Sequence, residues 1–137
     1  MVRYPIAILA LLLVFFGCAG ITEFMPRGGS AADSAQVVIL RNRNMFGSGR
    51  AVAVMLDQKV IAKLAVGQYI QFWVPPGRHI VRTTGFAIGD SSVAAEFRLG
   101  ESYYFVISPN MEGMEIEPWP AARARESMGV YRRLGAE

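Results

Sequence analysis

One histidine, one cysteine and eleven carboxylates limit the chemistry open to this chain of 137 residues. His79 lies in "RHIVRTT", where alternation puts it on one face with Val81 and Thr83. That predicts a partly buried histidine beside Gly77, in a packing or turn-stabilising role. A general base also needs a nucleophile within reach. Ser91 and Ser92 follow Asp90, but neither a G-x-S-x-G nor an S-x-x-K motif holds them. Gly47-Ser48-Gly49 lacks the lysine and the following helix of a phosphate loop, and reads as a strand connection. Glu112, Glu115 and Glu117 form a small acidic group, whereas a calcium loop needs more oxygen ligands at regular spacing. A solvated strand face is expected there. One cysteine makes no internal disulfide, and with one histidine it builds no zinc site. No catalytic residue, metal or cofactor is expected. A hydrolase using His79 stands as the enzymatic alternative.

Charge narrows the partners. The formal net charge is +3, and Lys59 and Lys63 are the only lysines. A nucleic-acid binder carries a denser basic patch and a recognisable motif, so no nucleic-acid partner is expected. Four of the twelve arginines fall in the last stretch, "PAARARESMGVYRRLGAE". Pro120 suits the first turn of a helix. Ala124, Met128 and Tyr131 recur at i, i+4 and i+7, with Leu134 near that face. Arg123, Arg125, Arg132 and Arg133 stand opposite with a lone Glu126. Gly129 weakens such a helix by up to ~1 kcal/mol relative to alanine. The stretch predicts a short amphipathic helix over an edge or face of the fold. Its basic side is a candidate surface for an acidic partner or anionic lipid, where each arginine is worth about 1 kcal/mol.

The cysteine sits where the N-terminal pattern ends. Arg3 precedes a wholly apolar run, Ile6 to Phe16, and then the small residues of "GCAG". This is the layout of a signal peptide. The run is shorter than the ~20 residues that cross a bilayer comfortably, so an uncleaved anchor is the second reading. "VFFGC" resembles the lipobox that ends bacterial lipoprotein signal peptides. Gly17 fits the position before the cysteine, while Phe15 and Phe16 stand where leucine and a small residue are more usual. The resemblance implies a Cys18 linked to diacylglycerol and acylated as the new N-terminus. Stable anchoring takes at least two lipid chains. Ala19 after the cysteine implies outer-membrane sorting in a Gram-negative host. Residues 19 to 35, with Gly28-Gly29-Ser30, have no apolar period and read as a tether. If flexible, it spans roughly 20–25 Å.

From Gln36 the pattern turns to short strands. "QVVILRNR" is apolar and then polar. "AVAVMLDQKVIAKL" is a hairpin about Asp57-Gln58-Lys59, with Val60, Ala62 and Leu64 expected on one face and Lys63 on the other. "YIQFWV" puts Ile70, Phe72 and Val74 opposite Tyr69, Gln71 and Trp73. "PPG" stops that strand, and Gly77 invites a positive φ. "VAAEFRL", "GE" and "SYYFVIS" predict a second hairpin, and "GMEIEP" an edge strand. Tyr103 and Tyr104 are adjacent and must face opposite ways. An outward ring beside Arg82 or Arg98 suits a binding surface, and an outward ring also suits packing under the C-terminal segment, which is the expectation. The recurrence of turns predicts an all-β fold, a single antiparallel β-sandwich of about seven to eight strands with a short C-terminal helix. "GQYIQFWVPPGRHIVRT" resembles PEGA-type β-sandwich modules of bacterial envelope proteins. The order of "DQKVIAKL", "GQYIQFWVPPGRH" and "GESYYF", over Val37 to Ile107, resembles a family of bacterial lipoproteins without an established reaction. That family commonly has Asp-Gly-Lys where this chain has Asp57-Gln58-Lys59.

The expected organisation is a signal peptide over 1–17, a lipidated N-terminus and tether over 18–35, a sandwich over 36–118 and a helical segment over 119–137. The expected role is a non-enzymatic binding or structural module in the bacterial envelope, held to the membrane by Cys18, with an unknown envelope protein as partner. A carrier of a small ligand or glycan between the sheets is a further alternative.

Overall fold

Strand-forming runs of valine, isoleucine and aromatic residues dominate the sequence from Ala35, and they build two stacked sheets. The structure is a computed structural model, and it describes residues 30, 32–44, 49–84 and 90–135. One sheet holds β1 (Ala35–Arg41), β4 (Gln68–Val74), β7 (Ser102–Asn110), β8 (Gly113–Pro118) and β9 (Arg132–Arg133), in the order β8-β7-β1-β4-β9. The other holds β2 (Val52–Leu56), β3 (Lys59–Leu64), β5 (Gly77–Thr84) and β6 (Asp90–Phe97), in the order β3-β2-β5-β6. The fold is all-β, with nine strands among the described residues where about seven to eight are expected. It is not purely antiparallel: β1 runs parallel to β7, and β9 parallel to β4.

The core lies between the sheets. Val37, Ile39, Ile70, Phe72 and Val74 meet Val54, Leu64, Val81 and Phe97, all buried. Burial alternates along β4 as its sequence predicts, with Ile70, Phe72 and Val74 inward. Hairpin β2–β3 departs from simple alternation. Its register shifts between Val54 and Met55, so Val54 pairs with Ala62 but Met55 pairs with Val60. The extra residue, Ile61, is buried together with Ala62. Such a bulge reverses which side faces inward. Val60 is therefore not on the face of Ala62 and Leu64, contrary to the alternating pattern.

The second expected hairpin does not form. β6 pairs with β5 in one sheet, and β7 pairs with β1 and β8 in the other. The turn at Arg98–Glu101 carries the chain across the sandwich instead. The Pro75-Pro76 turn makes the same kind of crossing, from β4 to β5.

A second apolar layer lies outside the five-stranded sheet. The single described helix, α1 (Ala121–Met128), begins after Pro120 and ends before Gly129. Ala124 is fully buried against Val38, Leu40 and Tyr104, and Tyr69, Trp119, Met128 and Tyr131 close around them. Both faces of β1 are thus covered, which explains its unbroken run "VVIL". The helix is eight residues long. The chain then returns to the sheet edge as β9, and Leu134 joins the core between the sheets.

Candidate functional site

The histidine and its partners sit at the end of the sandwich where β1 begins. Asp57 and Gln58 form the two-residue turn of hairpin β2–β3, with φ of 47° and 72°. Positive φ at both central residues is the hairpin turn that matches strand twist, and it favours Asp or Asn followed by Gly. The turn aims the Asp57 carboxylate at β5. Oδ1 accepts from the Ile80 N–H at 2.9 Å, and Oδ2 lies 2.5 Å from His79 Nδ1. The Asp57 N–H donates back to the Ile80 carbonyl at 3.0 Å. His79 Nε2 lies 2.8 Å from the Pro75 carbonyl oxygen.

A carbonyl only accepts, so Nε2 donates. Nδ1 faces a carboxylate as well. An imidazolium, which carries both N–H groups, satisfies the two acceptors together. The ring is stacked on Phe97, with centroids 5.6 Å apart and planes 18° apart. Burial pushes the Asp57 carboxyl upward, but the hydrogen bonds from His79 and Ile80 and the His79 charge outweigh it and hold it below the usual carboxylate value.

This arrangement braces a turn. Both ring nitrogens already have partners, so neither is directed at a nucleophile. Ser92 pairs with Arg82, while His79 pairs with Ala95, three residues along β6 and therefore roughly 10 Å away. The Ser91 hydroxyl accepts from the Ile116 N–H at 3.0 Å, which ties β6 to β8. The structure brings His79 together with Asp57, and not with either serine. Asp90 pairs through its backbone with Thr84.

A shallow hollow of about 150 Å³ opens beside the pair, lined by Asp57, Gln58, Ile80 and Arg82. A second, of about 170 Å³, is lined by Arg78, Ala94, Ala95 and Glu96. Both lie along β5 and border Ile80 or its neighbours on the outer side of the four-stranded sheet.

The other expected sites are dispersed. Cys18, Gly47 and Ser48 lie outside the described residues. Glu112, Glu115 and Glu117 are exposed along hairpin β7–β8, where Glu115 accepts from Asn110 at 3.2 Å. Among the described residues, no group of three His, Cys, Asp or Glu side chains is placed to hold a metal ion. The four C-terminal arginines divide into two uses. Arg123 lies over the Trp119 ring at 4.3 Å, and Arg125 Nε donates to the Tyr104 hydroxyl at 3.1 Å. Arg132 and Arg133 are exposed on β9. No described helix is long and apolar enough to cross a membrane.

Two residues at the sheet ends make polar bonds not anticipated from the sequence. Arg41 is buried, and its Nη1 donates to the Leu64 carbonyl at 2.8 Å and the Arg50 carbonyl at 2.5 Å. Burial lowers its pKa, yet a guanidinium remains charged. The Tyr103 hydroxyl donates to Glu101 at 2.8 Å and accepts from the Arg98 N–H at 2.9 Å. Burial, reinforced by the Glu101 carboxylate, raises its pKa. The one available sign was an arginine ending an apolar strand, a pattern that fits an exposed strand end equally well. The chain matches no family model, and no curated protein matches it.

Proposed function

We propose that this chain is a lipid-anchored protein of the bacterial envelope whose β-sandwich serves as a non-enzymatic binding or structural module. The observation that carries the reading is the position of the lone cysteine, directly after Gly17 at the end of an eleven-residue apolar run from Ile6 to Phe16. Acylation there makes a membrane anchor from a run too short to span comfortably. The domain then stands off the membrane by the length of residues 19–29, shorter than the expected tether over 19–35, because Ser30 and Asp33 close a turn and the buried Ser34 has its carbonyl already bonded to the Gly100 N–H. With Ala19 after the cysteine, the periplasmic face of the outer membrane is the destination in a Gram-negative cell.

The geometry favours this role over its two alternatives. A hydrolase would want His79 free to take a proton, whereas its nitrogens are bonded to Asp57 and Pro75. A carrier would want open space between the sheets, whereas Val37, Ile39, Ile70, Val74, Val81 and Phe105 pack together there.

Mass spectrometry of the membrane-extracted protein tests the anchor. The expected species begins at a diacylglyceryl-modified, acylated Cys18, and Cys18→Ser accumulates as the full-length precursor. An unmodified Cys18, or a mature N-terminus at another residue, overturns the reading.

A further inference from the structure

The two sheets differ on their outer sides. α1 covers the outer side of the five-stranded sheet, while no described element packs on the outer side of the four-stranded sheet. That open face has an apolar centre, with three cations and two carboxylates at the positions around it. Ile80 is 44% exposed at its centre. Arg78 and Arg82 flank it two residues away along β5, and Lys63 projects from β3 opposite Ala53. None of these three cations has an ion pair among the described residues. Of the nearby carboxylates, Asp57 is held by His79, Glu96 stands opposite Arg78 in register, and Asp90 lies at the register position two residues from Ser92, the partner of Arg82. One hollow is lined by Ile80, and the other by Arg78 and Ala94, the register partner of Ile80.

The same chain carries a surface of the opposite kind. Met111 is fully exposed at the tip of hairpin β7–β8, and Glu112 is next to it. Glu115 and Glu117 continue along the exposed side of β8. An unbranched, polarizable methionine adapts to a shallow hollow, and flanking carboxylates meet flanking guanidinium groups. Pairing of β8 with β7 holds this hairpin in the five-stranded sheet. Its tip therefore reaches the outer face of the four-stranded sheet only on another molecule.

We propose that the open face of the four-stranded sheet binds a second copy of this chain through the tip of that copy's β7–β8 hairpin, Met111 seating beside Ile80 and the glutamates meeting Arg78, Arg82 and Lys63. The inference deepens the structural-module reading by naming its partner, and it stands whether or not Cys18 is lipidated. Different patches on the two copies meet, so the contact builds a chain or closes a ring. Complementary potentials fix its register and make it sensitive to salt.

Sedimentation of the full-length protein in detergent, under reducing conditions, provides the test. Association at low ionic strength is expected, weakening in high salt. Arg78→Glu/Arg82→Glu and Glu112→Arg/Glu117→Arg, each checked for a parental melting temperature, should weaken it at least about tenfold, since like charges then face each other. An equimolar mixture of the two variants should associate again, because each acidic surface finds a basic one. A parent protein that stays monomeric at every concentration overturns the proposal. So does association that survives both reversals, or a mixture that is no tighter than its components. If a variant fails to fold, the salt dependence of the parent decides: association unchanged from low to high salt rejects the contact. Binding of the monomer to anionic vesicles without self-association rejects it too.

Discussion

At the scale of single residues, backbone conformation dictates which side chains are tolerated. Gln58 holds a φ of 72° in a hairpin turn, where a side chain is strained and glycine is not. Gln58→Gly should therefore stabilise the domain, by about 0.5–1 kcal/mol, read as a rise in melting temperature. Gly77 is the converse. Its φ is 124°, and an added Cβ would meet nothing within 4 Å, so the cost of Gly77→Ala is conformational rather than steric crowding by neighbours. A loss of about 1 kcal/mol or more is expected on denaturant titration. Asp57 adds a dependence on pH. Its carboxyl titrates below the unfolded value, so its contribution is present above the unfolded pKa of about 3.9 and is lost as pH falls through the lower, folded value. Asp33, lowered by the Ser30 N–H and the Ser34 hydroxyl, acts with the same sign. Asp57→Asn should flatten the acid limb of a plot of melting temperature against pH. A limb as steep as the parent's would show that Asp57 takes no part in it.

At the scale of elements, signals carried by a short stretch of sequence were legible. The turn residues Asp57-Gln58 and the alternation of "YIQFWV" are local facts, and β2, β3 and β4 follow from them. Partners distant in sequence were not legible. Gly100-Glu101 reads the same whether a chain doubles back within a sheet or crosses to the other one, and the outcome depends on which faces need burial. Asp57 is 22 residues from His79, and only the pairing of β2 with β5 brings them together. The bulge at Ile61 likewise depends on a partner strand. The C-terminal pattern Ala124, Met128 and Tyr131 marked residues that do pack outside the sheet. It did not mark the stop at Met128, where the backbone of Arg132 instead bonds Gly67 at 2.9 Å. Ala124 fixes how closely α1 approaches β1 and β7. Ala124→Asp places a carboxylate against Val38, Leu40 and Tyr104, and should cost roughly 2–4 kcal/mol and increase binding of a hydrophobic dye. Near-parental stability would show that α1 lifts away cheaply and contributes little cover.

At the scale of the whole molecule, polar bonds join the two sheets at both ends of their shared core. Arg41, on the five-stranded sheet, bonds the carbonyl of Leu64 at the end of β3 and that of Arg50 ahead of β2. At the opposite end His79, on the four-stranded sheet, bonds the Pro75 carbonyl just beyond β4. Ser91 and Ile116 tie the sheets along one side, and the Tyr103 hydroxyl ties β7 to the turn after β6. Apolar packing sets the distance between sheets but is nearly indifferent to sliding, whereas hydrogen bonds are directional. These ties therefore set the alignment of one sheet on the other. Their worth differs with burial. Arg41→Leu leaves the buried Leu64 bond and the part-buried Arg50 bond unmade, and should cost about 2–4 kcal/mol. His79→Gln acts at a half-buried site that water reaches, and should cost about 1 kcal/mol. The two residues sit at opposite ends and share no partner, so the double variant should lose the sum to within about 0.5 kcal/mol. Chemical denaturation of the four proteins measures this. A double variant much more stable than the sum predicts would mean that releasing one end already frees the other, so that the sheets are aligned by a single cooperative network rather than by independent ties.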